Sequence, residues 1–149
     1  MKWHRAELNV AKMRFAADAP EMQDFNNALD MVNAAADTAE GFVWRYRTET
    51  EADQQEEARV FGADLLVNLS VWRDDQALRK YVASKPHIPV MKRRAEWFAP
   101  MDEYHLVLWW VPAGHIPPLE EAHERWQLIN ENGPEKDAFG FGQIFERPD

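Results

Sequence analysis

The chain has 149 residues, a formal net charge of −9 and no cysteine. The missing cysteine excludes disulfides, thiolate metal sites and a cysteine nucleophile, and an acidic chain without a basic stripe is a poor partner for nucleic acid. No apolar run approaches the roughly 18 residues of a membrane span, and the N-terminal segment lacks a signal-peptide core. We therefore expect a cytoplasmic protein that binds neither nucleic acid nor membrane, with a single domain over residues 1–149.

The first half of the chain predicts one helix and three strands. Hydrophobic periodicity places a strand over 3–13, a helix within 19–41, a strand over 42–48 and a strand over 64–72. In the second strand, alternation puts Phe42, Trp44 and Tyr46 on one face and Arg45 on the other. The acidic stretch 49–59 has nothing to bury, so we expect a long, exposed and mobile hairpin loop.

The second half predicts further helices and one more strand. The patterns indicate a helix over 73–85, a short helix over 90–98, a strand over 104–111, a helix over 119–132 and an extended tail over 138–145. Asp74 or Asp75 is the expected N-cap of the first of these helices. Pro86 and Pro89 interrupt the pattern that follows it.

This order is the βαββαβ arrangement of a ferredoxin-like α+β unit with an antiparallel sheet, followed by a C-terminal helix and tail over 116–149. In that unit the helices cover only one face of the sheet. The other face must be buried in some way, and packing sheet against sheet in a homodimer is the usual solution.

Two strands carry side chains that could belong to a site. In the third strand, Asn68 and Ser70 share a face with Trp72, which is consistent either with a core that has internal hydrogen bonds or with the wall of a pocket. In the fourth strand, the adjacent Trp109 and Trp110 must point to opposite faces if the strand is regular. Spacing does not tell which of the two, if either, lines a cavity.

The sequence lacks the common metal-binding, nucleotide-binding and nucleophile motifs. Glu120 and His123 have helical spacing, but a di-iron bundle needs that pair twice, so no metal site is predicted. The chain has no glycine-rich phosphate loop and no nucleophile-elbow sequence, which argues against nucleotide enzymes and triad hydrolases.

Residues 71–94, "VWRDDQALRKYVASKPHIPVMKRR", resemble the antibiotic-biosynthesis-monooxygenase group of the dimeric α/β-barrel superfamily. The shared features are a strand that ends at Trp72, an acidic turn, a helix, and then His87. The whole chain is still more similar to a domain-of-unknown-function family of that superfamily, through segments such as "LLVNLSVW" and "LVLWWVPAGH". The resemblance implies a homodimer of ferredoxin-like units, each with a ligand cavity between sheet and helices.

The resemblance also implies cofactor-independent, monooxygenase-like oxidation of a hydrophobic or aromatic small molecule. His87 would take a proton from a phenol, and Asn68 or Arg45 would stabilise the resulting oxyanion. A structural reading of Arg45 remains open, in which it pairs with the acidic loop. The residues expected to bind substrate are Asn9, Trp72, Tyr81, Trp97, Trp109 and His115.

Two alternatives stay open. One is a dimer with the same cavity that binds a small molecule without turnover. The other is a haem-binding protein, because haem-degrading members use an Asn on the first strand, an aromatic residue on the second helix and a later His. Asn9 matches the first position, Tyr81 stands where a Trp is expected, and His87 lies one turn before the ligand position, which falls near Met91.

Overall fold

The computed structural model describes residues 1–84 and 87–148. In chain order its elements are β1 (Trp3–Met13), α1 (Gln23–Asp37), β2 (Phe42–Arg45), α2 (Glu51–Phe61), β3 (Leu65–Trp72), α3 (Asp75–Val82), α4 (His87–Lys92), α5 (Arg94–Trp97), β4 (Phe98–Ala99), β5 (Leu106–Pro112) and α6 (Leu119–Asn132). Asp74 caps α3 by accepting a hydrogen bond from the Ala77 amide. The break predicted at Pro86 lies outside the described residues.

The strands form an antiparallel sheet in the order β2-β3-β1-β5, and the short β4 pairs with the end of β1. This confirms the ferredoxin-like α+β arrangement. The central strand is β1, which pairs with β3 from Arg5 to Lys12 and with β5 from Trp3 to Asn9. Side chains in the middle of β1 therefore have sheet on both sides.

One face of the sheet is apolar and fully covered, and we call it the closed face. It consists of Ala6, Leu8, Val10, Val67, Leu69, Val71, Val107, Trp109 and Val111, all of them buried. Helices α2 and α6 cover it with Phe61, Leu119, Ala122 and Ile129. A sheet face of this kind must be buried, because exposing so much contiguous apolar surface to water is unfavourable.

The prediction of an exposed loop over 49–59 is wrong, because most of that stretch forms α2. Thr50 accepts a hydrogen bond from the Asp53 amide while the Asp53 carboxylate accepts one from the Thr50 amide. This capping box starts a helix even where few residues are apolar. The single buried side chain of α2 is Phe61, in its last turn. The stretch therefore lacks the periodic apolar residues that indicate a helix in a sequence.

The expectation that helices cover only one face of the sheet is also wrong. Helices α2 and α6 belong to the same chain and bury the closed face. An uncovered sheet face is therefore no longer a reason to expect a dimer. The homodimer itself stays a prediction from resemblance.

Strand β2 departs from simple alternation. Its register against β3 shifts between Phe42 and Trp44, which marks a β-bulge. Phe42 consequently packs against Trp72 on the other face of the sheet, whereas Trp44 and Tyr46 pack on the closed face. The prediction that all three share one face is correct only for Trp44 and Tyr46.

The two adjacent tryptophans of β5 point to opposite faces, as regular alternation requires. Trp109 lies on the closed face, where its indole Nε1 donates to Glu121 Oε2 at 3.0 Å. Trp110 lies on the other face, and its Nε1 donates to the Phe145 carbonyl at 3.0 Å. The tail also pairs with β5 through Leu108 and Phe139, so both indoles are held by the C-terminal part of the chain.

Candidate functional site

A cavity of about 100 Å³ lies between the sheet and helices α1, α3 and α4, and we call it the inner chamber. Its floor is formed by alternate residues of β1 and β3, namely Glu7, Asn9, Ala11, Leu66, Asn68, Ser70 and Trp72. Its roof and ends include Phe25, Leu29, Val32, Asn33, Ala36, Arg45, Tyr81, His87, Val90, Met91, Arg94 and Phe98. A mostly apolar cavity with a few convergent polar groups is the usual form of a small-molecule site.

The polar groups of the floor form a compact strip. In the antiparallel register Glu7 stands opposite Ser70, and Asn9 stands opposite Asn68. Residues two apart on a strand point to the same side, so these two pairs lie next to each other under the roof. The arrangement gives the chamber one carboxyl, one hydroxyl and two amides on a single surface.

Glu7 is the ionisable group of this strip. Its side chain is 8% exposed, and burial raises the pKa of its carboxyl to about 7. The Ser70 hydroxyl opposes this shift by stabilising the ionised form. Trp72 Nε1 donates to Ser70 Oγ at 2.9 Å, which leaves the hydroxyl proton free to point to the carboxylate. Near neutral pH, Glu7 can therefore both accept and return a proton.

Tyr81 closes one end of the chamber. Its ring stacks on Trp72 with 4.8 Å between centroids, and its hydroxyl donates to the Val32 carbonyl at 3.1 Å. Burial, followed by the nearby charge of Glu7, raises the pKa of the phenol. Tyr81 is therefore a neutral wall that joins α3 to α1, rather than an acid for catalysis at neutral pH.

His87 is the first residue of α4 and lines the chamber. It meets the Tyr81 ring edge-on at 5.4 Å. Burial lowers the pKa of its imidazole, against a smaller opposing effect from the Val82 backbone. The imidazole is thus neutral at pH 7, and its buried Nδ1 has no hydrogen-bond partner within 1–84 and 87–148.

Arg45 reaches the chamber from β2 as part of an ion pair. Its Nε and Nη2 donate to the two carboxylate oxygens of Asp37 at 2.7 and 3.2 Å, and Arg45 holds the pKa of Asp37 below its usual range. The suggested ion pair with the acidic loop is therefore wrong, because the partner is the last residue of α1. This bidentate pair fixes Arg45 and ties α1 to β2.

Six of the nine predicted site residues line the inner chamber: Asn9, Arg45, Asn68, Trp72, Tyr81 and His87. The other three lie elsewhere. Trp97 is buried against Phe25, with 5.3 Å between ring centroids, and serves as core. Trp109 is on the closed face, and His115 pairs with Glu121 at 2.8 Å beside it. The sheet separates these two residues from the chamber, so we no longer assign them to substrate binding there.

Sequence reasoning missed Glu7 as a site residue and noted Ser70 only as a polar member of its face. The useful indication was phase, because Glu7 is two residues before Asn9 and must share its face. A charged residue in the middle of an otherwise buried strand is rare unless it is paired or functional. That combination would have placed Glu7 beside the predicted amide.

The residues do not fit haem well. Asn9, Tyr81 and His87 all face the inner chamber, but drug-sized ligands need roughly 300–1,000 Å³, and the chamber offers about 100 Å³. A larger groove of about 590 Å³ adjoins it beyond Arg45 and Asn68, yet its lining includes neither Tyr81 nor His87. In the described ranges, no three His, Asp or Glu side chains are grouped to hold a metal ion.

The fold and the chamber define a ferredoxin-like α+β protein with a small cavity between its sheet and its helices. The family described as Domain of unknown function (DUF3291) matches residues 4–149, and the chain belongs to this family. This confirms the resemblance to a domain-of-unknown-function family. No curated protein matches the chain.

Solved structures of similar fold have low sequence identity. Rv0793 from Mycobacterium tuberculosis is 12% identical, with 77% of this chain and 99% of that protein covered and a TM-score of 0.50. SnoaB, a cofactor-independent oxygenase from Streptomyces nogalater, is 16% identical over 77% and 97%, with a TM-score of 0.48. A protein from Methanosarcina mazei Go1 is 13% identical over 72% and 90%, with a TM-score of 0.49. The likeness to Rv0793 shows the fold and nothing about activity.

None of the helices in the part of the chain that the structure describes has the length and apolar character needed to cross a bilayer.

Proposed function

We propose that this protein is a small-molecule enzyme that oxidises a hydrophobic, aromatic compound with dioxygen and without a bound cofactor. The observation that carries the proposal is the polar strip of Glu7, Ser70, Asn9 and Asn68 inside an otherwise apolar chamber. Such a chamber can hold an aromatic ring away from water and still offer a base and hydrogen-bond donors to it.

The size of the chamber points to a compact substrate. Engineered apolar cavities of about 150 Å³ take up benzene, and the inner chamber measures about 100 Å³. We therefore expect the chamber to hold no more than a single aromatic ring. The adjoining groove shares Asn33, Arg45 and Asn68 with the chamber, so a longer substituent would extend past these side chains.

The chemistry needs only groups that the chain supplies. A base takes the proton of a ring hydroxyl, and the resulting phenolate is electron-rich enough to react with dioxygen. One oxygen atom becomes a second carbonyl on the ring. The other leaves as water with the hydroxyl proton and the ring hydrogen, so the substrate supplies all four electrons. Asn9 and Asn68 would donate hydrogen bonds to the oxygen that is added to the ring, as negative charge develops on it.

Oxygen-uptake measurements test this proposal. Single-ring phenols would be offered under air and under ¹⁸O₂, with the wild type, with Asn68→Leu and with Leu69→Val, a control on the closed face. We expect one labelled oxygen atom in the product, one dioxygen consumed per product, and a loss of kcat of roughly 10²-fold in Asn68→Leu alone. Phenol binding without oxygen uptake would refute the oxidation and favour a non-catalytic binding protein.

A further inference from the structure

We propose that Glu7 is the base that takes the substrate's proton, so that the chamber selects uncharged single-ring phenols or enols over aromatic compounds without an acidic hydroxyl. This inference rests on the proposed function and deepens it. It replaces His87, the base expected from the sequence, with a residue that nothing in the sequence patterns had assigned.

The position of Glu7 suits a group that acts on a ring hydroxyl. It lies on the floor of the chamber, on the central strand β1 and beside Asn9, whereas His87 comes from α4 on the helical side. Asn9 follows on the same face at about 7 Å, the distance that two residues of a strand span. A ring whose hydroxyl contacts Glu7 would therefore place its far edge above Asn9 and Asn68, where the new oxygen would be stabilised.

The charged groups around Glu7 leave its carboxylate without a counter-ion. Arg45, on the β2 side, is held by Asp37. Arg5, on the same strand, is paired with Asp75 and lies 4.1 Å from the Trp110 ring centroid.

The remaining titratable groups that line the chamber come from α3, α4 and α5, namely Tyr81, His87 and Arg94. Tyr81 and His87 are neutral at pH 7. Burial raises the pKa of Glu7 and the Ser70 hydroxyl opposes that shift. The Glu7 carboxylate can therefore still accept a hydrogen bond from a ligand.

Ser70 and Trp72 hold the carboxylate in place for this role. The Trp72 indole donates to Ser70 Oγ, so the Ser70 hydroxyl proton points away from the indole, and its hydrogen bond to Glu7 opposes the effect of burial on the pKa of that carboxyl. Such a bond would orient the carboxylate for a ligand in the chamber. Ser70 is a positioning residue, since it acts through Glu7.

The proton transfer is balanced. A Glu7 oxygen takes the hydroxyl proton, the bonding electron pair stays on the substrate oxygen, and the products are a neutral carboxylic acid and a phenolate. The proton then leaves Glu7 with the oxygen atom of dioxygen that is released as water. Two negative charges never occupy the chamber together, which the low local dielectric would strongly disfavour.

Binding of phenol and toluene by calorimetry, at pH 5.5 and pH 8.5, separates this inference from the proposed function. Phenol itself stays neutral over this range, because its reference pKa is about 10. In the wild type we expect phenol affinity to rise about five- to tenfold with pH, since a charge-assisted hydrogen bond is stronger than a neutral one. The affinity for toluene should not rise with pH. In Glu7→Gln the affinity for phenol should be the same at both pH values.

The outcomes are distinct. If both compounds bind but phenol affinity is level with pH in the wild type, the role of Glu7 is overturned and the chamber stands. If neither binds, the chamber is not the site and both proposals fall. Where turnover is found, the pH profile of kcat/KM decides the base: an inflection near pH 7 that is lost in Glu7→Gln and kept in His87→Gln supports Glu7, and the reverse assigns the base to His87.

Discussion

The two faces of the sheet are built from alternate residues of the same strands, yet they differ in almost every physical property. On the closed face, Leu8 and Leu69 pack in an aliphatic core under α2 and α6. One position away, Glu7, Asn68 and Ser70 point into the inner chamber. The closed face stabilises the fold by excluding water. The chamber face gives up part of that stabilisation in order to keep polar groups available.

The contrast between the two faces shows where the fold contains an energetically unfavourable group. A carboxyl that is buried without a counter-ion is unfavourable once it ionises, and Glu7 is such a group. Nothing in the closed face compensates for Glu7 locally. The apolar packing on the closed face of β1 stabilises the strand. That packing allows the strand to tolerate an unfavourable buried charge on its chamber face. Four experiments would break or sharpen this contrast.

Leu69→Ala on the closed face should have the largest effect. Removing a buried Leu side chain from a filled core costs about 2–5 kcal/mol in the free energy of unfolding, and Leu69 is 1% exposed. Urea denaturation measures the loss, and Asn68→Ala, one position along the strand, is the matched control with a smaller cost. Equal losses at both positions would contradict the division into two faces.

Glu7→Gln should stabilise the protein at alkaline pH. The folded pKa of about 7 lies above the reference value of 4.5, so the unfolded chain loses its proton first. Wild-type stability is therefore highest below about pH 4.5, falls as the pH rises to about 7, and is level above it. We expect Glu7→Gln to gain about 3 kcal/mol on the wild type between pH 4.5 and pH 8.5. A difference in the free energy of unfolding between Glu7→Gln and the wild type that stays constant over that pH range would disprove this.

The tryptophan pair Trp72→Phe and Trp109→Phe tests what the indoles do on each face. Each change removes one indole hydrogen bond, a buried one to Ser70 or a half-buried one to Glu121, and should cost about 1–3 kcal/mol in the free energy of unfolding. Only Trp72→Phe should alter phenol affinity, because only Trp72 lines the chamber. A change in affinity with Trp109→Phe would mean that the closed face takes part in binding.

Thr50→Ala should have the smallest effect. It removes the capping box at the start of α2, which costs about 1 kcal/mol. Helix α2 covers the closed face, so thermal stability should fall while binding in the chamber is kept. Gln55→Ala, at an exposed position of the same helix outside the capping box, is the control. A change that abolished ligand binding would place α2 at the site.

Much of the sheet could be predicted from the sequence, because its strands have long apolar runs. Strand β1 and helix α6 begin and end where their patterns predict them, at Trp3–Met13 and Leu119–Asn132. Helix α2 could not be found in this way, since it buries only Phe61 and is stabilised by its cap. The bulge after Phe42 also leaves no trace in the alternation of residue types.

The sequence indicated the part of the site that lies on β3, through its polar residues. It did not indicate Glu7, the ionisable residue on β1. Asn68 and Trp72 stood out because their neighbours on the strand are aliphatic. Glu7 did not, because a glutamate in a loosely alternating strand looks solvent-exposed until the sheet order puts β1 in the centre. Trp109 and Trp72 are equally plausible as pocket residues by composition, and only the side of the sheet that each helix covers separates them.

The covering of the closed face by α2 and α6 has a consequence for how the molecule comes together. Both helices are covalently part of the chain whose sheet they bury, so this burial is an intramolecular step with no dependence on protein concentration. Obligate dimers show a melting temperature that rises with concentration. Burial of the closed face by α2 and α6 gives no such dependence, because it needs no second copy of the chain.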